Sequence, residues 1–237
     1  MGAIDDAFHG LREMIASGEL APGSRMPPEA QLCDRLGVSR GSLREAVRML
    51  GALGVIESRH GSGTYVSPLE AENIIGALRL TVDLMPFDGL LDLYELRRVL
   101  EAHASSQAAA HLDEESAELL SGILDELEAS EPGEAASDLD ARFHEAIARL
   151  AENAALTSLL EVFRSRSRSY QLFDLPDGRR IKAESDRSHR EILAALRAHD
   201  PAAAAAAAAA HVSQTESWLR ELRPVPRARL LPTRIDD

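Results

Sequence analysis

The stretch Leu36-Gly-Val-Ser-Arg-Gly-Ser-Leu-Arg-Glu-Ala-Val-Arg-Met-Leu50 decides how the chain is read. Gly37 supplies a turn and Ser39 has the side chain of an N-cap. Leu43, Ala46, Val47 and Leu50 recur at helical spacing and would face a small core. Ser39, Arg40, Ser42, Arg44 and Arg48 are left on or near the outer face. A short helix that opens with hydroxyl and guanidinium groups suits a DNA major groove. Arginine bonds a guanine edge in two places, and serine bonds phosphates. Taken alone, the stretch is equally an ordinary amphipathic surface helix.

Its surroundings narrow the choice. Ile4 to Ser17 reads as a helix with Ile4, Phe8, Leu11, Met14 and Ile15 on one face, and Gly18 to Gly23 is a turn-rich stop. Pro27 and Pro28 precede a second short helix, Glu29 to Leu36. Beyond Gly54, the segments Val55-Ile-Glu-Ser58 and Thr64-Tyr-Val66 flank Arg59-His-Gly-Ser-Gly63, a two-strand hairpin with a glycine-rich tip. Three helices and a hairpin make a winged helix-turn-helix, its tip carrying Arg59 and His60 to a phosphate or the minor groove.

Composition sets the frame. The chain has 237 residues, one or two domains' worth, and 45% of them are hydrophobic but only 4% aromatic. Alanine and leucine dominate, which favours helices. Cys33 is the single cysteine, so no intrachain disulfide forms, and a cytoplasmic setting is expected. No membrane span is expected, since the alanine run Ala202–Ala210 is too short and too weakly apolar. Net charge is −13, which argues against nucleic acid until it is divided. Residues 1–67 carry −1 and residues 68–237 carry −12, while Arg40, Arg44 and Arg48 against Glu45 give the opening stretch a local +2. A local basic face on an acidic body permits DNA binding while weakening its non-specific part.

Residues 4–66 resemble the DNA-binding domain of the GntR family of bacterial transcription regulators. The matching segments are Ser17-Gly-Glu-Leu-Ala-Pro-Gly23, Met26-Pro-Pro-Glu29, Gly37-Val-Ser-Arg40, Leu43-Arg-Glu-Ala46, Leu53-Gly-Val55 and His60-Gly-Ser-Gly-Thr-Tyr-Val66. The resemblance implies base contacts from Arg40 and Arg44. It also implies phosphate or backbone contacts from Ser39, Gly41 and Ser42, with His60 and Gly61 at the wing. Ala30 departs from it, because a long polar residue often follows the Pro-x-Glu element there.

From Leu69 onward the chain reads as successive helices. They are Ala71–Leu84; Leu90 to about His111, capped by Asp88; Asp113-capped to Ala129; Ala135–Leu150; Ala154 to about Phe173; Arg180–Ala198; and Pro201–Leu222. The expected fold is therefore mainly α. A winged helix-turn-helix (1–67) is followed by an antiparallel bundle of about seven helices (68–222) and a loose tail (223–237). Asp140 and His144 are four apart on one helix face, and His189 and His211 lie on two later helices. Such N/O ligands suit zinc, nickel or manganese. Spacing alone leaves this open, since eight histidines supply i,i+4 pairs by chance and a lone helical histidine is usually solvated or hydrogen-bonded.

Residues 70–222 resemble the FCD effector-binding domain of the FadR subfamily within GntR. The matching segments are Leu93-Tyr-Glu-Leu-Arg97 with Leu100-Glu101, Asp140-Ala-Arg-Phe-His144, Asn153, His189-Arg-Glu-Ile192 with Asp200, and the alanine-rich approach to His211. The resemblance implies a divalent metal, zinc before nickel or manganese, on Asp140, His144, His189 and His211. Open coordination positions would take a carboxylate effector, a small organic acid or sugar acid. Ser188 departs from it, glutamate being frequent there. Arg97 is a candidate for the effector's carboxylate, with an interhelical salt bridge as the equal alternative. Of the Arg164, Arg166 and Arg168 run, a solvated face is the ordinary reading, with one of them reaching a ligand as the other. The implied function is a homodimeric regulator on a palindromic operator, its DNA binding controlled by the metal-bound metabolite. The alternative is a metal-dependent helical-bundle enzyme, against which stand the missing Glu-x-x-His pairs of a di-iron bundle and the missing phosphate-binding loop.

Overall fold

The computed structural model describes residues 2–226, and the chain divides into two compact units, up to Leu78 and from Arg79. The part of the expected tail beyond residue 226 lies outside the described residues.

The first unit holds α1 (Ala3–Ala16), α2 (Glu29–Leu36), α3 (Arg40–Ala52), an antiparallel hairpin of β1 (Ile56–Arg59) and β2 (Gly63–Val66), and a short α4 (Ala71–Gly76). Gly37 closes α2 in the left-handed region at φ 67°, where a side chain would be strained. Ser39 then caps α3, its hydroxyl accepting from the Ser42 amide at 3.1 Å. The core is one cluster drawn from every layer. Leu11 and Met14 come from α1, Leu32 from α2, Leu43, Ala46 and Leu50 from α3, and Ile56 and Val66 from the hairpin. The apolar stripe of α3 thus faces inward, leaving Arg40, Gly41, Arg44 and Arg48 exposed.

The second unit is all helical among the described residues. It holds α5 (Arg79–Asp83), α6 (Phe87–His111), α7 (Glu114–Ala129), α8 (Glu134–Leu150), α9 (Ala154–Arg168), a 3-10 turn (Leu172–Asp174), α10 (Gly178–Arg197) and α11 (Pro201–Leu222). Three boundaries differ from the sequence reading. The helix expected over 71–84 is two short ones, broken after Gly76, a poor helix former. Helix α6 starts at Phe87 after Pro86, which puts Asp88 in the first turn rather than at the cap. Helix α9 stops at Arg168, since Gln171 adopts φ 42° and turns the chain. The alanine run packs closely: Ala204 and Ala208 are buried in one cluster with Ala108 and Ala109 of α6. Those small residues lie between α6 and α11, the helices that carry Glu101 and His211 into the bundle interior.

Candidate functional site

On the first unit the surface of α3 presents Arg40, Gly41 and Arg44 exposed, with Ser42 half-buried beside the Ser39 cap. Arg44 is not free. Its Nε and Nη2 donate to Oε1 and Oε2 of Glu29 at 2.9 and 3.0 Å. Arg48 pairs with Glu45 at 3.2 Å. In the wing, His60 and Gly61 are exposed at the tip. Arg59 is held back by Glu57 and lies 4.3 Å from the Tyr65 ring centroid.

In the second unit, Asp140 and His144 of α8 meet His189 of α10 and His211 of α11. One ligand atom from each lies within 4.8 Å of all the others. The three histidines are buried. The Nε2 atoms of His144 and His189 are 3.2 Å apart, and His189 Nε2 is also 3.2 Å from Asp140 Oδ1. Two of the three imidazoles are oriented from behind. His144 Nδ1 faces Glu101 Oε2 at 3.3 Å. His211 Nδ1 is 2.8 Å from the Ser188 hydroxyl, and that hydroxyl donates onward to the Ser185 carbonyl at 2.9 Å. Ser188 therefore accepts from His211 Nδ1–H, which leaves the His211 Nε2 lone pair toward the cluster. His189 Nδ1 is buried without a hydrogen-bond partner among the described residues.

Two arginines brace this centre. Arg97 donates from Nε and Nη2 to Glu101 Oε1 at 3.0 and 2.7 Å, and from Nη1 to Ser167 at 2.9 Å. Arg164 bridges Glu101 and Asp140, reaching Glu101 Oε2 at 2.9 Å and Asp140 Oδ2 at 3.0 Å. Arg166 points elsewhere, to the Met85 carbonyl and Tyr170. The electrostatics follow. Burial, aided by Arg164, lowers the His144 imidazole to about 4 against the pull of Glu101 and Asp140. Burial and the neighbouring imidazoles also push His211 well down. Burial alone would raise both carboxyls, but His189, His144 and Arg164 hold Asp140 far below the usual range, and Arg164 and Arg97 do the same for Glu101. At neutral pH the set is two imidazoles that stay neutral, a third, and one carboxylate.

That set fits a divalent cation. Four-coordinate N/O ligands about 2.0–2.1 Å from an ion sit ~3.3 Å apart, close to the two 3.2 Å separations here and shorter than the 3.9 Å between His144 Nε2 and Asp140 Oδ1. Neutral imidazoles and an ionised carboxylate are the forms that ligate.

Of the residues singled out by sequence, the four donors converge, and Arg97 is buried in an ion pair as well as lining a neighbouring cavity. Glu101, Arg164 and Ser188 carry roles that spacing did not reveal. Only the Arg97/Glu101 separation of four hinted at one of them. The cavity holds about 80 Å3 beside the cluster and is lined by Tyr94, Arg97, Asp140, Arg164, His211 and Trp218 among others. A second cavity, of about 130 Å3 and more aliphatic, touches His144 and Glu101 from another side.

Comparison with known proteins matches residues 3–66 to the family described as bacterial regulatory proteins, gntR family, and residues 92–214 to the FCD domain. The chain belongs to the GntR family. It is 31% identical over 215 residues to the HTH-type transcriptional regulator LutR of Bacillus subtilis, covering 87% of this chain and 96% of LutR. It is also 31% identical over 229 residues to the putative L-lactate dehydrogenase operon regulatory protein of Escherichia coli, with 91% and 86% covered. Among solved structures, Streptococcus agalactiae GntR aligns over 90% of this chain and 99% of its own at 30% identity, with a TM-score of 0.59. This GntR protein, FadR-like in joining a winged helix-turn-helix to an FCD domain, is a DNA-binding transcription regulator. The enzyme alternative falls with that assignment. None of its described helices is long and apolar enough to cross a membrane.

Proposed function

We propose that operator binding by this regulator is controlled by a small carboxylate metabolite taken up beside a divalent metal, zinc before nickel or manganese, on Asp140, His144, His189 and His211. The observation that carries the reading is the convergence of four donor groups within 4.8 Å, three buried imidazoles and the part-buried Asp140, at the wall of a cavity that also exposes Arg97 and Arg164. A cation there supplies a Lewis-acid position for a carboxylate oxygen. The chain's own groups do the rest. Arg97 keeps two of its five donors unused by Glu101 and Ser167, which suits the second carboxylate oxygen. A cavity of about 80 Å3 has room for roughly three waters at liquid density, which suits a short acid rather than a long acyl chain. One relative is named for an L-lactate dehydrogenase operon, and lactate is an acid of that size.

On the output side, Arg40 and Arg44 would read bases, while Ser39, Gly41, Ser42 and the wing residues His60 and Gly61 would meet the backbone. Helix α9 joins input to output. Its Arg164 grips Asp140 and Glu101, while its Glu161 and Ser165 hold Arg79 and Asp83 of α5, the first helix after the division between the units. An effector that displaces Arg164 therefore acts on the segment leading to the DNA-binding unit, provided it binds the two states unequally. A homodimer would set two α3 helices on half-sites roughly one DNA turn apart. Leu96 and Val99, exposed on α6, supply apolar surface for pairing.

Native mass spectrometry of purified protein with metal analysis tests the input. One divalent ion per chain is expected, lost in His144→Ala with the helical circular dichroism retained. Wild-type protein that stays metal-free when given zinc, nickel or manganese would remove the metal from the mechanism.

A further inference from the structure

The grip of Glu29 on Arg44 has a consequence for how DNA is read. Both side chains are exposed, and exposed ion pairs add little to stability. Yet this pair is bidentate and links the start of α2 to the outer face of α3. A guanidinium carries five N–H donors. Glu29 takes the Nε edge and one Nη2 hydrogen, which leaves the far end, Nη1 with the outer Nη2 hydrogen. That far end is a fork able to pair with O6 and N7 of a guanine. Ser39, capping α3, fixes the start of the helix from which Arg44 projects. The neighbouring Ala30 offers no polar group to share the work.

The geometry points to Glu29 as a specificity-determining positioning residue: it holds Arg44 side-on, so that its free end meets a guanine edge in one orientation. This rests on the reading of α3 as the base-contacting helix. Two effects combine. The held guanidinium loses less rotamer freedom on binding a matched site. The carboxylate also places a negative charge at the DNA face, where it disfavours loose phosphate contacts on any sequence.

The test uses the full-length chain and a duplex selected by the wild-type protein from a random-sequence pool, compared with a base-shuffled duplex of the same length. Fluorescence anisotropy gives both affinities. Glu29→Ala is expected to weaken binding to the selected duplex roughly 10-fold and to leave or tighten binding to the shuffled one. In an Arg44→Ala background, Glu29→Ala should change the ratio of the two affinities no further. Repeating the selection with Glu29→Ala should relax the same guanine position that Arg44→Ala relaxes. An unchanged ratio in Glu29→Ala, with Arg44→Ala still damaging, overturns the positioning role alone. An equal loss from Glu29→Ala in both backgrounds also overturns it, because Glu29 would then act without Arg44. If Arg44→Ala itself leaves the ratio intact, the base-reading role of Arg44 falls, and the positioning role with it.

Discussion

Two arginine–glutamate pairs in this protein share one chemistry and differ in every consequence. In Arg44–Glu29, on the winged unit, the side chains are 62% and 47% exposed. In Arg97–Glu101, inside the helical unit, they are 4% and 6% exposed. The first pair lies in water, where attraction is screened and either partner is readily rehydrated. The second sits where neither charge finds water, and a lone charge would be costly. Burial therefore decides which pair the fold depends on and which is left available for binding. It also separates the two ends of the regulator. The proposed DNA face is made of charges that can change partners, and the candidate metal centre is made of charges that cannot.

The largest break in this contrast is Glu101→Ala. It would leave Arg97 and Arg164 facing each other without their shared carboxylate, and would free His144 Nδ1. Removing one partner of a buried ion pair costs about 3–5 kcal/mol. A fall in the melting temperature of the helical unit of roughly 10 °C is expected by calorimetry. A melting temperature within a degree or two of wild type would mean that the buried network does not behave as a unit.

Acid is the next perturbation. The sign follows from His144, whose value falls from 6.5 unfolded to about 4 folded. The native state then binds fewer protons than the unfolded chain, so stability rises with pH through that window. In metal-free protein nothing is lost above 6.5. Between 6.5 and 4 about 3 kcal/mol is lost through this residue. Asp140 and Glu101, held low when folded, add their own losses only below about pH 4, where unfolded carboxylates protonate. Urea denaturation of chelator-treated protein at a series of pH values should show the slope, and His144→Gln should reduce it, leaving the part that His211, also pushed down by burial, contributes. A slope unchanged by the substitution would assign it to another group.

The same contrast explains what could be read in advance. The winged unit was legible because its determinants are local. The turn at Gly37, the cap at Ser39, the apolar stripe of α3 and the glycine-rich hairpin all lie within about thirty residues. Spacing in the chain there nearly equals spacing in the fold. In the helical unit only Asp140 and His144 are local to each other. Their meeting with His189 and His211 depends on how α8, α10 and α11 pack, and family likeness rather than periodicity suggested it. The bracing by Glu101 and Arg164 spans 63 positions, so no pattern in the sequence announces it. The run Arg164, Arg166, Arg168 looks like a solvated face because alternate arginines give no apolar stripe, yet Arg164 is turned inward by the acidic pair it serves. The break after Gly76 and the stop at Arg168 were missed for a smaller reason. Each depends on one or two backbone angles that residue type only biases.

The smallest expected effect is on the stability of the exposed pair, and it is the most discriminating. Each of Glu29→Ala and Arg44→Ala should move the melting temperature of the winged unit by no more than ~1 °C, because an exposed ion pair adds little to stability even where it fixes a side chain's direction. Arg44→Ala should nevertheless abolish specific operator binding. A large thermal shift would show that α2 and α3 depend on this link for their packing. Loss of DNA binding would then report a loosened helix rather than a missing base contact. A null shift with lost binding would leave the guanidinium itself as the cause. That outcome is the one the core favours, since Leu32, Leu43, Ala46 and Leu50 already join the two helices beneath the pair.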